Sequence, residues 1–80
     1  MDEAYIGTIV AWAPKFAPIG WEFCNGQSME PQSNPALFSL IGTTYGGDGI
    51  HTFHLPDLRD KNMGAVSYII CTQGLYPPRP

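Results

Sequence analysis

Glycine and proline, spread along the whole chain, are the strongest constraint on its fold. Nine glycines and eight prolines occur among 80 residues. Proline lacks a backbone donor and interrupts helices and inner strands, whereas glycine favours turns. Turns are therefore frequent and long helices are not expected. A chain of this length builds one modest core, so we predict a single domain over residues 1–80.

Composition limits the functions that the chain can have. Charged residues make up 14% of it, against a typical quarter, and the net charge is −3. The four basic residues form no cluster, so nucleic-acid binding is not expected. No run is apolar enough to span a membrane, and no signal peptide is visible, because the chain opens with acids. A surface poor in charge and rich in aromatic residues is expected to bind something.

The clearest local signal is a short helix near residues 35–41. Asn34 is a favourable N-cap residue, and Pro35 suits the first helical position. The apolar residues that follow recur at helical spacing. Gly42 is placed to end the helix in the left-handed conformation. Barely two turns long, this helix needs a sheet to pack against.

The remaining apolar runs predict short strands, at residues 4–12, 21–24, 50–55 and 65–71. The first has apolar residues on both faces, with Ile6, Val10 and Trp12 expected on one of them. We therefore expect it to be covered on both sides, by the same chain or by a neighbouring copy. Asn25-Gly26 favours a tight turn. Residues 75–80 read as an extended proline-rich tail. The fold class is mostly β (small α+β), with long glycine- and proline-rich loops.

The glycine cluster at residues 46–49 invites two functional interpretations. A phosphate-binding loop would need a following helix and usually a lysine. A calcium loop would need several carboxylates, and only Asp48 is present. We therefore predict a sharp turn in which Asp48 bonds its own backbone. The residues given a turn or structural role are Asn34, Pro35, Gly42, Gly46, Gly47, Asp48, Gly49 and Pro56.

No residue pattern predicts catalysis, a cofactor or a metal. His51 and His54 would lie on opposite faces of a strand, so one chain would not use both on one metal. Copies around a symmetry axis could bring equivalent histidines together. No serine or cysteine has the base and orienting group that a nucleophile needs. We expect a protein that is not an enzyme.

Two cysteines, Cys24 and Cys71, leave two possibilities open. A disulfide between them would close nearly the whole domain and would stabilise it by about 4 kcal/mol in the chain-entropy model. Alternatively, they are buried free thiols that act as small hydrophobes.

The motifs of this chain occur in the order found in a known family. They are Tyr5-Ile6-Gly7, Gly20-Trp21 to Gly26-Gln27, Ala36-Leu37-Phe38, Tyr45 to Gly49, Leu55 to Arg59, Tyr68 to Cys71 and Gln73-Gly74. Together they resemble the phage tail collar domain family, which includes bacterial tail-fibre-like and microcystin-dependent proteins. The resemblance covers nearly the entire chain. After the Leu55–Arg59 turn, family members usually carry a long variable segment, which often holds a histidine pair. Here five residues, 60–64, stand in its place.

The resemblance implies a structural module that assembles in copies on a tail, a fibre or a related extracellular appendage. We expect a homo-oligomer, either a trimer or a helical filament, located in a virion tail or an extracellular appendage. The alternative is an adhesion module that binds a cell-surface glycan or receptor at a tail-fibre tip. The residues expected to bridge copies are Tyr5, Ile9, Trp12, Phe16, Tyr76, Pro77 and Pro78. Chains without the first strand or without residues 75–80 are expected to be soluble monomers.

Overall fold

A computed structural model describes residues 4–78. The fold is mostly β with one short helix, which confirms the predicted fold class. The elements in chain order are β1 (Ile9–Trp12), β2 (Trp21–Phe23), β3 (Ser28–Met29), α1 (Pro35–Ile41), β4 (Phe53–His54), a 3-10 turn (Arg59–Lys61) and β5 (Ser67–Cys71).

The main sheet has three antiparallel strands in the order β1-β5-β2. The central strand, β5, is the most buried of the three, as expected for a strand covered on both faces. Its residues Ile69, Ile70 and Cys71 are fully buried. Strands β3 and β4 form a second, two-stranded sheet. The last strand of the chain therefore organises the fold.

Alternation along the strands divides the core into two clusters, one on each face of the main sheet. The helix-side core contains Ile6, Cys24, Leu37, Phe53, Leu55 and Ile70. The far-side core contains Trp21, Ile69 and Cys71, with a half-buried rim that includes Val10, Trp12 and Phe23. The helix-side core is covered by α1 and the second sheet, whereas within residues 4–78 the far-side core has no helix over it and is packed against by the loop residues Ala4 and Ala17 and by the main sheet itself.

The first strand begins later than its sequence predicts. Gly7 has a φ of 93° at the third position of a turn in which the Thr8 N–H donates to the Tyr5 carbonyl. The Gly7 N–H then donates to the Cys71 carbonyl, and the Cys71 N–H donates to the Thr8 carbonyl. Two residues thus oppose one on β5, which is a glycine β-bulge.

This bulge changes which residues share a face. The sequence predicts Ile6 on the same face as Val10 and Trp12, and that prediction is wrong. Ile6 belongs to the helix-side core, whereas Val10 and Trp12 lie against the far-side core. The extra residue of a bulge interrupts the two-residue period on which the prediction depends.

The helix begins at Pro35 and ends at Ile41, as predicted, with different bonds at its ends. The Asn34 side chain makes no capping bond and instead donates to the Glu30 carbonyl at 3.3 Å. Gly42 has φ 54° and ψ −139°, so its φ is positive but it is not left-handed helical. Its N–H donates to the Phe38 carbonyl at 2.8 Å.

The tight turn predicted at Asn25-Gly26 does not form. Asn25 pairs with Asp57 in an antiparallel bridge, and the Gly26 N–H donates to the Pro56 carbonyl at 3.2 Å. Among the described residues, no residue other than glycine has a positive φ. A long-range pairing has therefore replaced the local hairpin that this dipeptide favours.

Candidate functional site

Asp48 is the hub of the glycine-rich loop. Its Oδ1 accepts backbone N–H bonds from Thr52 at 3.0 Å, Ile50 at 2.8 Å and His51 at 2.7 Å. These bonds hold the pKa of Asp48 well below its ordinary value, because the charged form is the better acceptor. The carboxylate shapes its own loop.

The adjacent glycines are required because the loop lies directly on β4. A Cβ at Gly47 would come within 2.6 Å of the Phe53 Cα, and its φ is 100°. A Cβ at Gly46 would come within 2.8 Å of the His54 Nδ1. The Gly46 carbonyl accepts from the His54 N–H at 3.1 Å. The absence of side chains here allows close packing of two backbones.

The two histidines are not brought together into a site. His51 is exposed and its Nδ1 lies 3.2 Å from the Asp48 Oδ2. His54 is half-buried in β4. Within residues 4–78, no group of three or more histidine, cysteine, aspartate or glutamate side chains could hold a metal ion.

Asp57 and Arg59 close the turn after β4. The Arg59 Nε and Nη2 donate to the two Asp57 carboxylate oxygens at 2.9 and 2.7 Å, and the Arg59 N–H donates at 3.2 Å. These bonds lower the pKa of Asp57 to about 2 and raise the pKa of Arg59. This carboxylate, too, is used within its own turn.

The two cysteines are free thiols on opposite faces of the sheet. Cys24 lies in the helix-side core and Cys71 in the far-side core. Cys71 is opposite Trp21, so Cys24 lies three residues further along β2's direction, about 10 Å away. That exceeds the Cα separation that a disulfide bridges. Burial raises the pKa of Cys24 to about 11 and also raises that of Cys71.

Four of the residues predicted to bridge copies lie near the C-terminal tail, namely Tyr5, Tyr76, Pro77 and Pro78. Tyr5 forms a parallel bridge with Leu75, and the Tyr76 hydroxyl lies 2.7 Å from the Ser39 Oγ on α1. Residues 75 and 76 therefore pack on their own chain. Residues 79 and 80 of the predicted tail lie outside the described residues.

The other three, Ile9, Trp12 and Phe16, lie along β1 and the loop after it. The Trp12 Nε1 donates to the Phe16 carbonyl at 2.7 Å, which folds the loop back on the strand. The Phe16 side chain is 70% exposed. Ile19, which we did not select from sequence, is fully exposed in the same loop. Its place between Pro18 and Gly20 was an available signal, because no helix or strand can bury a residue there.

A shallow groove of about 400 Å³ opens beside this loop. The half-buried Phe23 ring lines it, together with the polar side chains of Lys15, Asn25 and Ser67. Volumes of this order accommodate small ligands. Phe16 follows the groove residue Lys15 in the chain, but the Phe16 ring does not line the groove.

Comparison with known proteins identifies the family to which this fold belongs. A family model described as Phage Tail Collar Domain matches residues 7–63. This chain belongs to the phage tail collar domain family. It is 38% identical over 55 residues to the short tail fiber protein gp12 of Enterobacteria phage T4. That match covers 68% of this chain but 10% of the phage protein. The chain thus spans about a tenth of that relative's length.

The family match confirms the resemblance inferred from the motifs. In this collar domain, the matched range includes the Asp48 loop and the Asp57–Arg59 turn, whereas β5 lies beyond it. None of the helices within residues 4–78 has the length and apolar character needed to cross a membrane. The motif residues Asp48 and Asp57 bond the backbone of their own loops. The exposed apolar residues Phe16 and Ile19 lie in a different loop.

Proposed function

We propose that this collar domain is a structural module of a phage tail, a tail fibre or a related extracellular appendage, and that it works as a homo-oligomer without catalysis. The observation that carries this proposal is how the family motifs are used. Asp48 and Asp57, the two aspartates in those motifs, accept bonds from neighbouring residues of their own loops. Carboxylates bonded in this way stabilise the loops of the fold.

The surface supports assembly with copies of the same chain. Phe16 and Ile19 are exposed on one loop, and Tyr5 and Leu75 form a second apolar patch on the tail side. Charged residues, which would keep copies apart, are few. A chain of 80 residues also builds only a small core, which contact with a partner can stabilise. A trimer and a helical filament are the two forms that we propose.

The experiment is to measure the molar mass of the purified chain by light scattering over a concentration series, with negative-stain microscopy of the same samples. We expect masses above the monomer or visible filaments. A monomer at every concentration would contradict the proposal.

Truncations need a different design from the one that the sequence suggested. Deleting the first strand would remove β1, one of the two strands paired with β5, and would remove Ile6 from the helix-side core. The chain would then unfold. A chain ending at Tyr76 keeps the Leu75 pairing and the Tyr76–Ser39 contact. Normal assembly of that chain would show that the last four residues do not bridge copies.

The groove supports the alternative function, binding of a cell-surface glycan or receptor. An aromatic ring beside amide, hydroxyl and ammonium groups can stack on a sugar and bond its hydroxyls. A glycan array probed with the wild-type chain and with Asn25→Ala tests it. Binding that the variant loses would support this function, and binding no stronger than background would exclude it.

A further inference from the structure

We propose that β1 pairs edge to edge with β1 of a second copy, antiparallel and around a two-fold axis, so that two three-stranded sheets join into one of six strands. This inference rests on the proposed self-assembly and names the surface that would carry it. It follows from the difference between the two outer edges of the main sheet. Unpaired edge strands are templates for a further strand.

The outer edge of β2 is partly occupied by its own chain, because two of the four outward backbone groups of Trp21 and Phe23 are already bonded. The Trp21 N–H donates to the Pro18 carbonyl at 3.0 Å. The Phe23 carbonyl accepts from the Gln27 Nε2 at 2.8 Å, and the same Gln27 side chain accepts from the Asn25 N–H. An incoming strand would have to displace these bonds, and it would meet the exposed Glu22 charge.

The outer edge of β1 is open. The bond from the Cys71 N–H to the Thr8 carbonyl fixes which backbone groups face β5. By the alternation of an antiparallel pair, Val10 and Trp12 bond β5, whereas the N–H and C=O groups of Ile9 and Ala11 point outward. Within residues 4–78, no other backbone or side-chain group bonds these outward groups. Both side chains are exposed.

One open edge per sheet decides the form of the assembly. Head-to-tail addition of strands would need two open edges, and β2 does not provide the second. Two β1 edges can satisfy each other, which closes the contact in a symmetric pair. Strand β1 carries no charge, so two copies meet without like-charge repulsion. A trimer or a filament would then need a further contact, outside the main sheet.

The two faces of β1 fix the register. Opposite residues of an antiparallel pair lie on the same face of the sheet. Placing Ile9 opposite Ala11 of the second copy uses all the outward groups in four N–H···O bonds. It also places Val10 opposite Val10 of the second copy, on the axis. The half-buried Val10 side chain, at the rim of the far-side core, would then be covered.

A cysteine at the axis tests the register. In Val10→Cys, the two new thiols would lie about 4.5 Å apart between Cα atoms, which a disulfide can bridge. Oxidised glutathione would join them and be reduced to two thiols. We expect a covalent dimer to form at least about tenfold faster than in Ala65→Cys, an exposed control away from the edge. The native thiols are buried in both variants.

Amide hydrogen exchange and a proline substitution test whether the outer edge of β1 is paired. Exchange at Ile9 and Ala11 should slow as the chain concentration rises, whereas Val10 and Trp12, bonded to β5, should be protected throughout. Ala11→Pro removes only an outward donor, which an edge strand tolerates. We expect it to weaken pairing at least about tenfold, because two bonds are lost by symmetry. Circular dichroism would check that the variant is folded.

The outcomes separate the two proposals. If the wild-type chain is monomeric throughout, both self-assembly and edge pairing are wrong. If it assembles while the Ile9 and Ala11 amides exchange independently of concentration, and Val10→Cys crosslinks no faster than Ala65→Cys, edge pairing is wrong and self-assembly stands. If all three measurements respond as expected, both are supported.

Discussion

Two segments of this collar domain use their polar groups in opposite ways. In residues 46–61, the side chains of Asp48 and Asp57 and the backbone of Gly46 are bonded within the segment. In residues 9–19, the backbone groups of Ile9 and Ala11 point outward, and apolar side chains are exposed. The first segment uses these polar groups within itself. The second leaves bonding capacity and apolar surface for something outside residues 4–78.

This difference shows that a motif rich in glycine and charge need not be a binding site. Residues 46–61 look most like a ligand-binding loop in sequence, yet their carboxylates are already bonded within the segment. The segment with few sequence features carries the open edge and the exposed rings. Substitutions in the two segments should therefore affect different quantities, stability in one and association in the other.

The largest effect on stability is expected from Phe53→Ala. The Phe53 side chain is fully buried, and its ring centroid lies 5.2 Å from that of Phe38. Truncating such a ring costs about 3–5 kcal/mol, which is a large part of the stability of a small domain. Urea unfolding measures it. Ile19→Ala, at a fully exposed position, is the control and should change the free energy of unfolding by less than about 0.5 kcal/mol. Similar losses in both would contradict the division into two segments.

Gly47→Ala should come next. The new Cβ would clash with the Phe53 Cα and the Thr52 carbonyl, in a backbone conformation that L-residues disfavour. Gly64→Ala is a matched control, because Gly64 also has a positive φ but no atom within 4 Å of a Cβ. We expect about 1–2 kcal/mol at Gly64, from conformation only, and a greater loss at Gly47. Equal losses in urea unfolding would show that close packing on β4 is unimportant.

Asp48 should make stability depend on pH. Its pKa is lower in the folded chain than in the unfolded chain, so its contribution is complete above the unfolded pKa of about 3.9 and is lost as the pH falls through the folded pKa. Asp57, with a folded pKa of about 2, should lose its contribution between about pH 4 and pH 2. Wild-type stability should fall on acidification over this range.

The control for this effect is Asp48→Asn, measured by urea unfolding at several pH values. The variant should be less stable than the wild type at pH 6. The difference should narrow below pH 4, because the Asp48 carboxyl of the unfolded wild-type chain then binds a proton that the folded chain does not. A gap that stays constant to pH 2 would mean that the charge of Asp48 contributes nothing.

The smallest effect on stability is expected from Phe16→Ser. The ring is mostly exposed, and Trp12 bonds the Phe16 carbonyl, which the substitution keeps. The free energy of unfolding should change by less than about 0.5 kcal/mol. Association, measured by light scattering, should nevertheless weaken, because the exposed ring belongs to the proposed interaction surface. A variant that assembles like the wild type would remove this loop from that surface.

Short-range patterns predicted much of this structure. The helix lies where Asn34, Pro35 and Gly42 predict it, although the Asn34 side chain makes no capping bond and Gly42 is not left-handed helical. Phe53 and Leu55, two residues apart, are both buried, as alternation along an extended segment requires. The family resemblance, read from residue order, is confirmed.

Predictions about relations between distant residues succeeded less often. The bulge at Gly7 depends on the Cys71 backbone, and the pairing of Asn25 depends on Asp57. The contact of Tyr76 with Ser39 joins residues 37 positions apart. Local propensity depends only on neighbouring residues and carries no information about these distant partners. It therefore could not predict the bulge, the absence of the tight turn or the contact of the tail with α1.

By itself, the sequence determined the class of fold, the helix and the family, because each depends on residues close to one another or on their order along the chain. Only the tertiary structure decided which edge of the main sheet is open. That property belongs to no single strand. Gln27 and Pro18 bond two of the outward backbone groups of β2 in the folded chain, whereas the outward groups of β1 have no such partners within residues 4–78. The surface that we propose for assembly is therefore a consequence of how the chain satisfies its own backbone groups.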